Sequence, residues 1–386
     1  MKHFDIAILG AGSGLMIMEG ALEHGKTCAV IEKGAFGGTC LNRGCIPSKM
    51  LVYPADLIRE TQRGELVGVT FGRPAIDWAR VSARMRRQID VNQELEQAIA
   101  HTEGVTVYPG EGSFADAYTL DIRLKDGRLE RISADTIVIA TGSRTRVPHI
   151  QGLDQTGYLT SESFFSDRFP DKPFESLLII GGGATALEFA HIFSAFGTRV
   201  TVAVRSETML RGLDGDIAPF VKRQLEDAGV RILYQAGAQS ARTQGGLKVM
   251  RFLDKLTHEE YEVAAEEIFL ASGILPNTDA LAPDRAGVRM TEDGYVITDE
   301  KLRTNIPHVY AIGDVNGRFA LRHKANYEAD VLNNVLFGDN TRTADYDSVP
   351  QAVFTHPQVG SVGLSEENAR TLYGDRVRVY RNAYSD

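Results

Sequence analysis

Phe4-Asp5-Ile6-Ala7-Ile8-Leu9-Gly10-Ala11-Gly12-Ser13-Gly14 is an apolar run that breaks into a glycine-rich turn. A helix-like stretch follows, closes at Gly25, and leads into a second apolar run from Thr27 to Glu32. The same grammar returns from Ser176: an apolar run, Gly181-Gly182-Gly183-Ala184-Thr185-Ala186, a helical Leu187 to Phe196, Gly197, and the run Arg199 to Val204. Gly10 aligns with Gly181, Gly12 with Gly183 and, with one extra helical residue, Gly25 with Gly197. Each unit reads as the strand, tight turn and helix of a dinucleotide-binding βαβ element. Its glycines let the backbone approach a pyrophosphate, and the helix N-terminus offers unpaired N–H groups. The first copy departs from the full pattern at its sixth position, where Leu15 stands. Wider helix–strand packing is the expectation there, with the phosphate-facing turn Gly10 to Gly14 intact. Two copies in one chain predict an α/β protein with two Rossmann-like domains.

The second strands end differently. The first ends on Glu32, beside Lys33 and 22 residues after Gly10, where a carboxylate accepts hydrogen bonds from ribose hydroxyls. The second ends on Val204, with Arg205 next and Arg211 one short loop further. Guanidinium groups bind a 2′-phosphate bidentately, whereas a carboxylate would repel it. The alternative is that both arginines are solvated surface charges. The pattern favours NADP(H) at the second site and a different dinucleotide at the first. Three further apolar runs exit on glycine: Thr136 to Thr141-Gly142, Ile268 to Gly273, and Val309 to Gly313-Asp314. Asp314 reads either as a turn residue or as a ligand contact at the carboxyl ends of the strands. Between the units lie a polar helix candidate, Trp78 to His101, and short strands around Val105–Tyr108 and Tyr118–Leu124.

The chain has 386 residues, 43% hydrophobic and 24% charged, with a formal net charge of −9. More than one core is expected at that length, and no basic stripe argues for nucleic acid or an acidic membrane. Apolar stretches are interrupted well before the roughly 18 residues a membrane helix needs, and no leader is read before the first strand. The cytoplasm is the expected compartment. Of three cysteines, Cys28 sits in an apolar strand and reads as buried. Cys40 and Cys45 lie five positions apart in Gly37-Gly38-Thr39-Cys40-Leu41-Asn42-Arg43-Gly44-Cys45-Ile46-Pro47-Ser48-Lys49. No further ligands of zinc spacing stand nearby, no metal is expected, and a structural disulfide is out of place in a reducing compartment. A redox-active disulfide remains. Pro47 marks an early helical position, with helical periodicity from Ser48 to Arg59, so Cys45 falls at a helix N-terminus where the dipole and Lys49 favour a thiolate. The redox group that exchanges hydride on one side and electrons with a thiolate on the other is a flavin.

The run Gly37 to Lys49 closely resembles the redox-disulfide motif of the flavin-dependent pyridine nucleotide–disulfide oxidoreductases. The Gly10 turn, Ala140-Thr141-Gly142, the Gly181 turn, Gly313-Asp314 and Leu321-Arg322-His323-Lys324-Ala325 follow in the family's order. The stretches Phe193 through Arg211 and Leu321 to Ala329 look most like the mycothione reductase branch. The dihydrolipoyl dehydrogenase branch is the rival; its members usually carry an acidic residue where Val204 stands. The resemblance implies FAD at residues 1–148 and 273–345, NADPH at 149–272, and the opening of an α+β dimerisation domain at 346–386. It also implies reduction of a small-molecule disulfide, in a homodimer for the full-length form, serving cell redox homeostasis. Cys45 would face the flavin in a charge-transfer complex and Cys40 would attack the substrate. Lys49 would approach the flavin, with Glu188 pairing with it or touching the nicotinamide; as alternatives, both are surface helix charges. Glu32 would bind the adenosine ribose, Asp314 the ribityl or ribose hydroxyls, Gly112 the adenine side, and the backbone after Leu321 the pyrimidine edge. The remaining cofactor contacts are assigned to Gly10, Gly12, Ser13, Gly14, Lys33, Gly38, Thr39, Thr141, Gly142, Gly181, Gly183, Arg205, Arg211 and Gly273.

Three departures stand out. Several relatives place an aromatic lid where Ala184 lies. The family's Gly-Arg-x-Pro-Asn reads Gly273-Ile274-Leu275-Pro276-Asn277, without its arginine. The family's His-Pro…Glu acid/base pair lies further along the interface domain than residue 386, and His356-Pro357 lacks the matching Glu because Ser361 occupies that spacing. No catalytic histidine is assigned. A chain ending there is expected to be reduced by NADPH yet to turn over disulfide poorly; a non-catalytic nucleotide-binding redox sensor is the rival from another class.

Overall fold

The computed structural model describes residues 1–72 and 74–382. Lys2–Leu9 is the middle strand of the first sheet, parallel to Cys28–Glu32 on one side and to Leu129–Ile139 on the other. Val105–Phe114 and Val309–Ala311 extend the sheet outward, also parallel. Strands covered on both faces must be apolar throughout, and Ala7, Ile8, Leu9, Ala29, Val30, Val138 and Ile139 are all buried. Alternation sorts them. Ile6, Ile8, Val30 and Val138 pack on the helices Gly14–Glu23 and Arg322–Phe337 through Leu15, Ile17, Met18 and Leu332. Ala7, Leu9, Ile137 and Ile139 instead meet Phe114, Leu120 and Ile122 of a three-stranded antiparallel meander. That meander is made by the outer halves of the two long strands pairing with Thr119–Leu124.

The second sheet repeats the plan. Glu267–Leu270, Ser176–Ile180, Arg199–Ala203 and Arg231–Leu233 lie in that order, all parallel. Leu177, Ile179 and Phe269 face Leu187, Ala190 and Phe193 of the helix Ala184–Ala195. Leu178, Ile180, Ile268 and Leu270 face Met250, Phe252 and Val263. These last three belong to the meander Ala236–Gln244, Leu247–Asp254, Glu260–Ala265. Duplication therefore covers a sheet, its helices and its meander. The chain crosses between the halves at Ser143–Thr145 and Ile274–Pro276, which pair antiparallel. Gln351–Val353 and Val359–Ser361 form a separate hairpin, followed by the helix Glu366–Tyr373.

Two sequence expectations change. The strand read as Val105–Tyr108 is ten residues long, running to Phe114 through Gly110 and Gly112. Those glycines are there for close approach: a Cβ on Gly110 would lie 2.3 Å from Arg123 O, and one on Gly112 would lie 2.5 Å from Leu9 Cδ2. The helix read as Ser48 to Arg59 is Cys45–Arg63, starting on the cysteine itself and accommodating Pro54. The long helix runs Trp78–Ala100, capped by Asp77, whose Oδ1 accepts from Arg80 N at 3.0 Å.

Candidate active site

Gly10 turns the chain at φ +111°, with an ideal Cβ 2.3 Å from Ala140 O, so no side chain fits. A Cβ on Gly12 would have only Gly38 Cα within reach, at 3.8 Å, which leaves the helix N-terminus open to a ligand. Gly14 lies 2.7 Å, by its ideal Cβ, from Ile8 Cγ2. In place of the wider packing expected from Leu15, a close helix–strand contact is made one residue before it. Glu32 Oε2 accepts from Ala11 N at 2.8 Å and Oε1 from Gly34 N at 2.6 Å. The carboxylate holds the turn and keeps further lone pairs for a ligand. Lys33 pairs with Glu111 at 3.0 Å. Glu32, Lys33, Gly112, Thr141 and Asn277 line an open cleft of about 190 Å³ beside Gly10.

The far wall comes from the other strand exits. Asn277 Nδ2 donates to Thr141 O at 2.9 Å and Asn277 N to Gly142 O at 3.0 Å. Ser143 Oγ donates to Asp314 Oδ2 at 2.7 Å, and Ser13 Oγ to Asn326 Oδ1 at 3.0 Å. Among the described residues Thr141 Oγ1 is buried without a partner, an unmet hydroxyl on a residue that lines the cleft. Open glycine turn, cleft-lining carboxylate and orphaned hydroxyl together fit the FAD expected here.

The same approach locates the cysteines. Gly38, at φ +65°, sets its ideal Cβ 2.9 Å from Gly12 Cα, so the helix Gly38–Arg43, bearing Thr39 and Cys40, rests on the nucleotide turn. Cys45 opens the next helix. Both thiols are free and half-buried. A hydrogen bond from the Cys40 thiol is the main reason the Cys45 thiol is held down to about 7, with Lys49 and Arg322 contributing against the opposing effect of burial. The same bond, with burial, pushes the Cys40 thiol up. In the dithiol state one proton therefore stays on Cys40 while Cys45 carries the charge. Cys28 is fully buried and is pushed up to about 12 by burial, which leaves it inert. Lys49 Nζ lies 2.9 Å from Glu188 Oε2 and 4.1 Å from the Phe354 ring centroid. Phe354 N donates to Glu188 Oε1 at 3.2 Å.

The sign of the Cys45 shift sets a pH profile. Its pKa is depressed, so the thiolate is present above about pH 7 and is lost as the pH falls through that value. Alkylation of Cys45 in the reduced protein, read by mass spectrometry, should show that midpoint. Cys40→Ala removes the largest cause and should move the midpoint toward an ordinary thiol; an unchanged midpoint would contradict the arrangement.

At the second turn, Gly181 has φ +148° and its Cβ would lie 2.2 Å from Ala271 O, while Gly183 faces open space. Leu210 N donates to Gly182 O at 2.8 Å, tying the Arg205–Arg211 loop to the turn. Both arginines are exposed, and among the described residues neither makes an ion pair. Gly273, at φ +101°, accepts from Arg146 N at 2.9 Å.

Several site residues escaped the sequence reading. Phe354 comes from the hairpin beyond the nucleotide folds, with no local signal of its reach. Arg322 Nη1 donates to Gly37 O at 3.2 Å and adds its charge to the field at both sulfurs. Arg144, opposite Leu275 in the crossing ladder, donates to Pro276 O at 2.7 Å and lines the cleft. It supplies a guanidinium beside the motif that has Ile274 in place of arginine. Under Asp314, Lys324 Nζ reaches Gly313 O, Asn316 Oδ1 and Glu328 Oε2 at 3.1, 3.1 and 3.2 Å.

Comparison with known proteins agrees over most of the length. The family model described as pyridine nucleotide-disulphide oxidoreductase matches residues 4–329, and that of its dimerisation domain matches 349–386. A mycothione reductase of Mycobacterium tuberculosis is 35% identical over 379 residues, covering 96% of this chain and 80% of the relative. A dihydrolipoyl dehydrogenase of the same organism is 33% identical over 373 residues, covering 96% and 79%. Among solved structures, the Cu(II) complex of the HOCl-induced flavoprotein disulfide reductase RclA from Escherichia coli superposes with a TM-score of 0.85 at 28% identity, over 97% of this chain and 80% of that one.

Proposed function

Because the chain belongs to the pyridine nucleotide-disulphide oxidoreductase family, an enzyme family acting on sulfur groups, we propose that it is an NADPH-dependent reductase of a low-molecular-weight thiol disulfide of the mycothione type. The observation that carries this reading is the Cys40–Cys45 pair seated on the FAD turn through Gly12 and Gly38, with the charge on Cys45. When bound, FAD would supply the redox group that can take hydride from the nicotinamide and deliver the electron pair to the cysteine disulfide. The chain's own residues do the rest. Cys40 attacks one sulfur of the substrate disulfide and gives up its proton, which leaves with the first thiol. Cys45 then attacks the Cys40 sulfur, releasing the second thiol and regenerating the disulfide. The balance is NADPH, one proton and RSSR giving NADP⁺ and two RSH.

Lys49, held by Glu188, keeps a positive charge beside the forming thiolate. We assign residues 1–148 and 273–345 to FAD, 149–272 to NADPH and 346–386 to the dimerisation domain, whose family match supports a homodimer. Among the described residues no helix is long and apolar enough to cross a membrane. Assay of the FAD-loaded protein against mycothione, oxidised glutathione and lipoamide tests the reading; activity confined to lipoamide with NAD(H) would replace it with the second reading, dihydrolipoyl dehydrogenase, favoured by that relative's similar identity.

Nicotinamide choice is predicted from Arg205 and Arg211. Charge-assisted contacts to a 2′-phosphate are each worth about 1.5–3 kcal/mol, so NADPH should be preferred over NADH by more than about tenfold in kcat/KM. Replacing both arginines by alanine should erase the preference. Equal kcat/KM for the two nucleotides in the unmodified protein would sink it.

A further inference from the structure

The Lys49–Glu188–Phe354 cluster joins three elements: the Cys45 helix, the helix Ala184–Ala195 and the hairpin of Gln351–Ser361. A second cluster joins the same three elements further along. Asp56 stands seven residues, two helical turns, after Lys49. His191 stands one turn after Glu188, and His356 two residues after Phe354. Asp56 Oδ1 lies 2.8 Å from Nε2 of His191, a fully buried ring, and 3.7 Å from Nδ1 of His356. Gln358 Nε2 approaches Asp56 Oδ2 at 3.4 Å. The two imidazoles stack with centroids 6.1 Å apart and planes 13° apart. Among the described residues no such group is arranged to hold a metal ion, and none of these side chains takes part in the chemistry proposed above.

We propose that Asp56 is a positioning residue for the reducing site: by holding His191 and His356 on one carboxylate it fixes the register in which Lys49, Glu188 and Phe354 meet beside Cys45. The inference rests on the reductase reading. It also makes the register proton-sensitive through His356, which joins the hairpin to Asp56 and Glu60. The groups facing His356 are Asp56, Glu60 and Arg63 from the Cys45 helix and His191 from the nucleotide helix; its Nε2 lies 3.1 Å from Glu60 Oε1. Burial, more than the neighbouring carboxylates can offset, holds this imidazole below its ordinary value. A depressed histidine contributes stability above its unfolded value that is lost as the pH falls. Acidification therefore loosens the hairpin from the Cys45 helix and lets Lys49 drift from its partners.

The test follows Cys45 alkylation and flavin reduction by NADPH against pH in the FAD-loaded protein. Asp56→Asn should raise the Cys45 midpoint by about half a pH unit, a roughly threefold fall in the thiolate-to-thiol ratio, and Asp56→Glu should restore it. The unmodified protein should show an acid limb in flavin reduction, and His356→Gln should remove it. An unchanged midpoint in Asp56→Asn, or an acid limb that survives His356→Gln, overturns the inference while leaving the reductase reading in place. If Asp56→Asn does not fold, the His356→Gln profile decides. Flavin that stays oxidised with either nucleotide in the unmodified protein overturns both.

Discussion

Cys45→Ser should abolish disulfide-dependent NADPH oxidation, lowering it by at least about three orders of magnitude, a barrier increase of roughly 4 kcal/mol. The size follows from what is removed. Without Cys45 no internal disulfide can form, so the electron pair has no route from the flavin site to the substrate. The mixed disulfide on Cys40 also has no second sulfur to resolve it. The change itself is nearly isosteric at a half-buried helix start, so FAD content and folding should be unaffected, and steady-state assay beside flavin absorbance separates the two. Cys40→Ser should lose turnover equally but leave a thiol at Cys45 with a higher alkylation midpoint, since its hydrogen-bond donor changes. A Cys45→Ser protein retaining a tenth of the activity would mean that the pair is not the conduit.

Glu328→Ala should destabilise the first domain by about 3–5 kcal/mol, the cost of leaving one member of a buried ion pair alone. Lys324 and Glu328 are both fully buried. Glu328 accepts from Gly313 N and Asn316 Nδ2, each at 2.7 Å, and from Tyr346 Oη at 2.6 Å. Burial holds the Lys324 ammonium below its ordinary range, with Glu328 pulling the other way. Removing Glu328 strands that charge and frees the Gly313-Asp314 turn, so FAD should be lost along with stability. The double change Lys324→Met, Glu328→Leu removes both charges and should cost less than Glu328→Ala alone. Chemical denaturation with flavin release as a second probe checks the order; a single variant as stable as the double would contradict it.

How much of this was legible depended on the range of each interaction. The nucleotide turns were legible because a φ-positive glycine before a helix is a local demand, met at Gly10 and again at Gly181. The cysteine pair was legible because its residues and Lys49 share one continuous stretch. The meanders were not read as a repeat, since their pairing joins Gly110–Phe114 to Leu129–Ser133 through a third strand and leaves only loose alternation along the chain. Lys324 and Glu328 stand four apart on a helix, a spacing that elsewhere marks a solvated surface pair; only the fold reveals that both are buried. His356, His191 and Asp56 meet from three distant segments. Gly14 illustrates the reverse case: Leu15 at the sixth position led to an expectation of wider helix–strand packing, yet the helix meets Ile8 closely one residue earlier.

The most direct measurement counts thiols. The FAD-loaded protein, oxidised and then treated anaerobically with NADPH, is alkylated and mapped by mass spectrometry. The account predicts that Cys40 and Cys45 become labelled together, only after NADPH and only with FAD bound, while Cys28 stays unlabelled. Labelling of Cys40 and Cys45 that is the same with and without NADPH would contradict it.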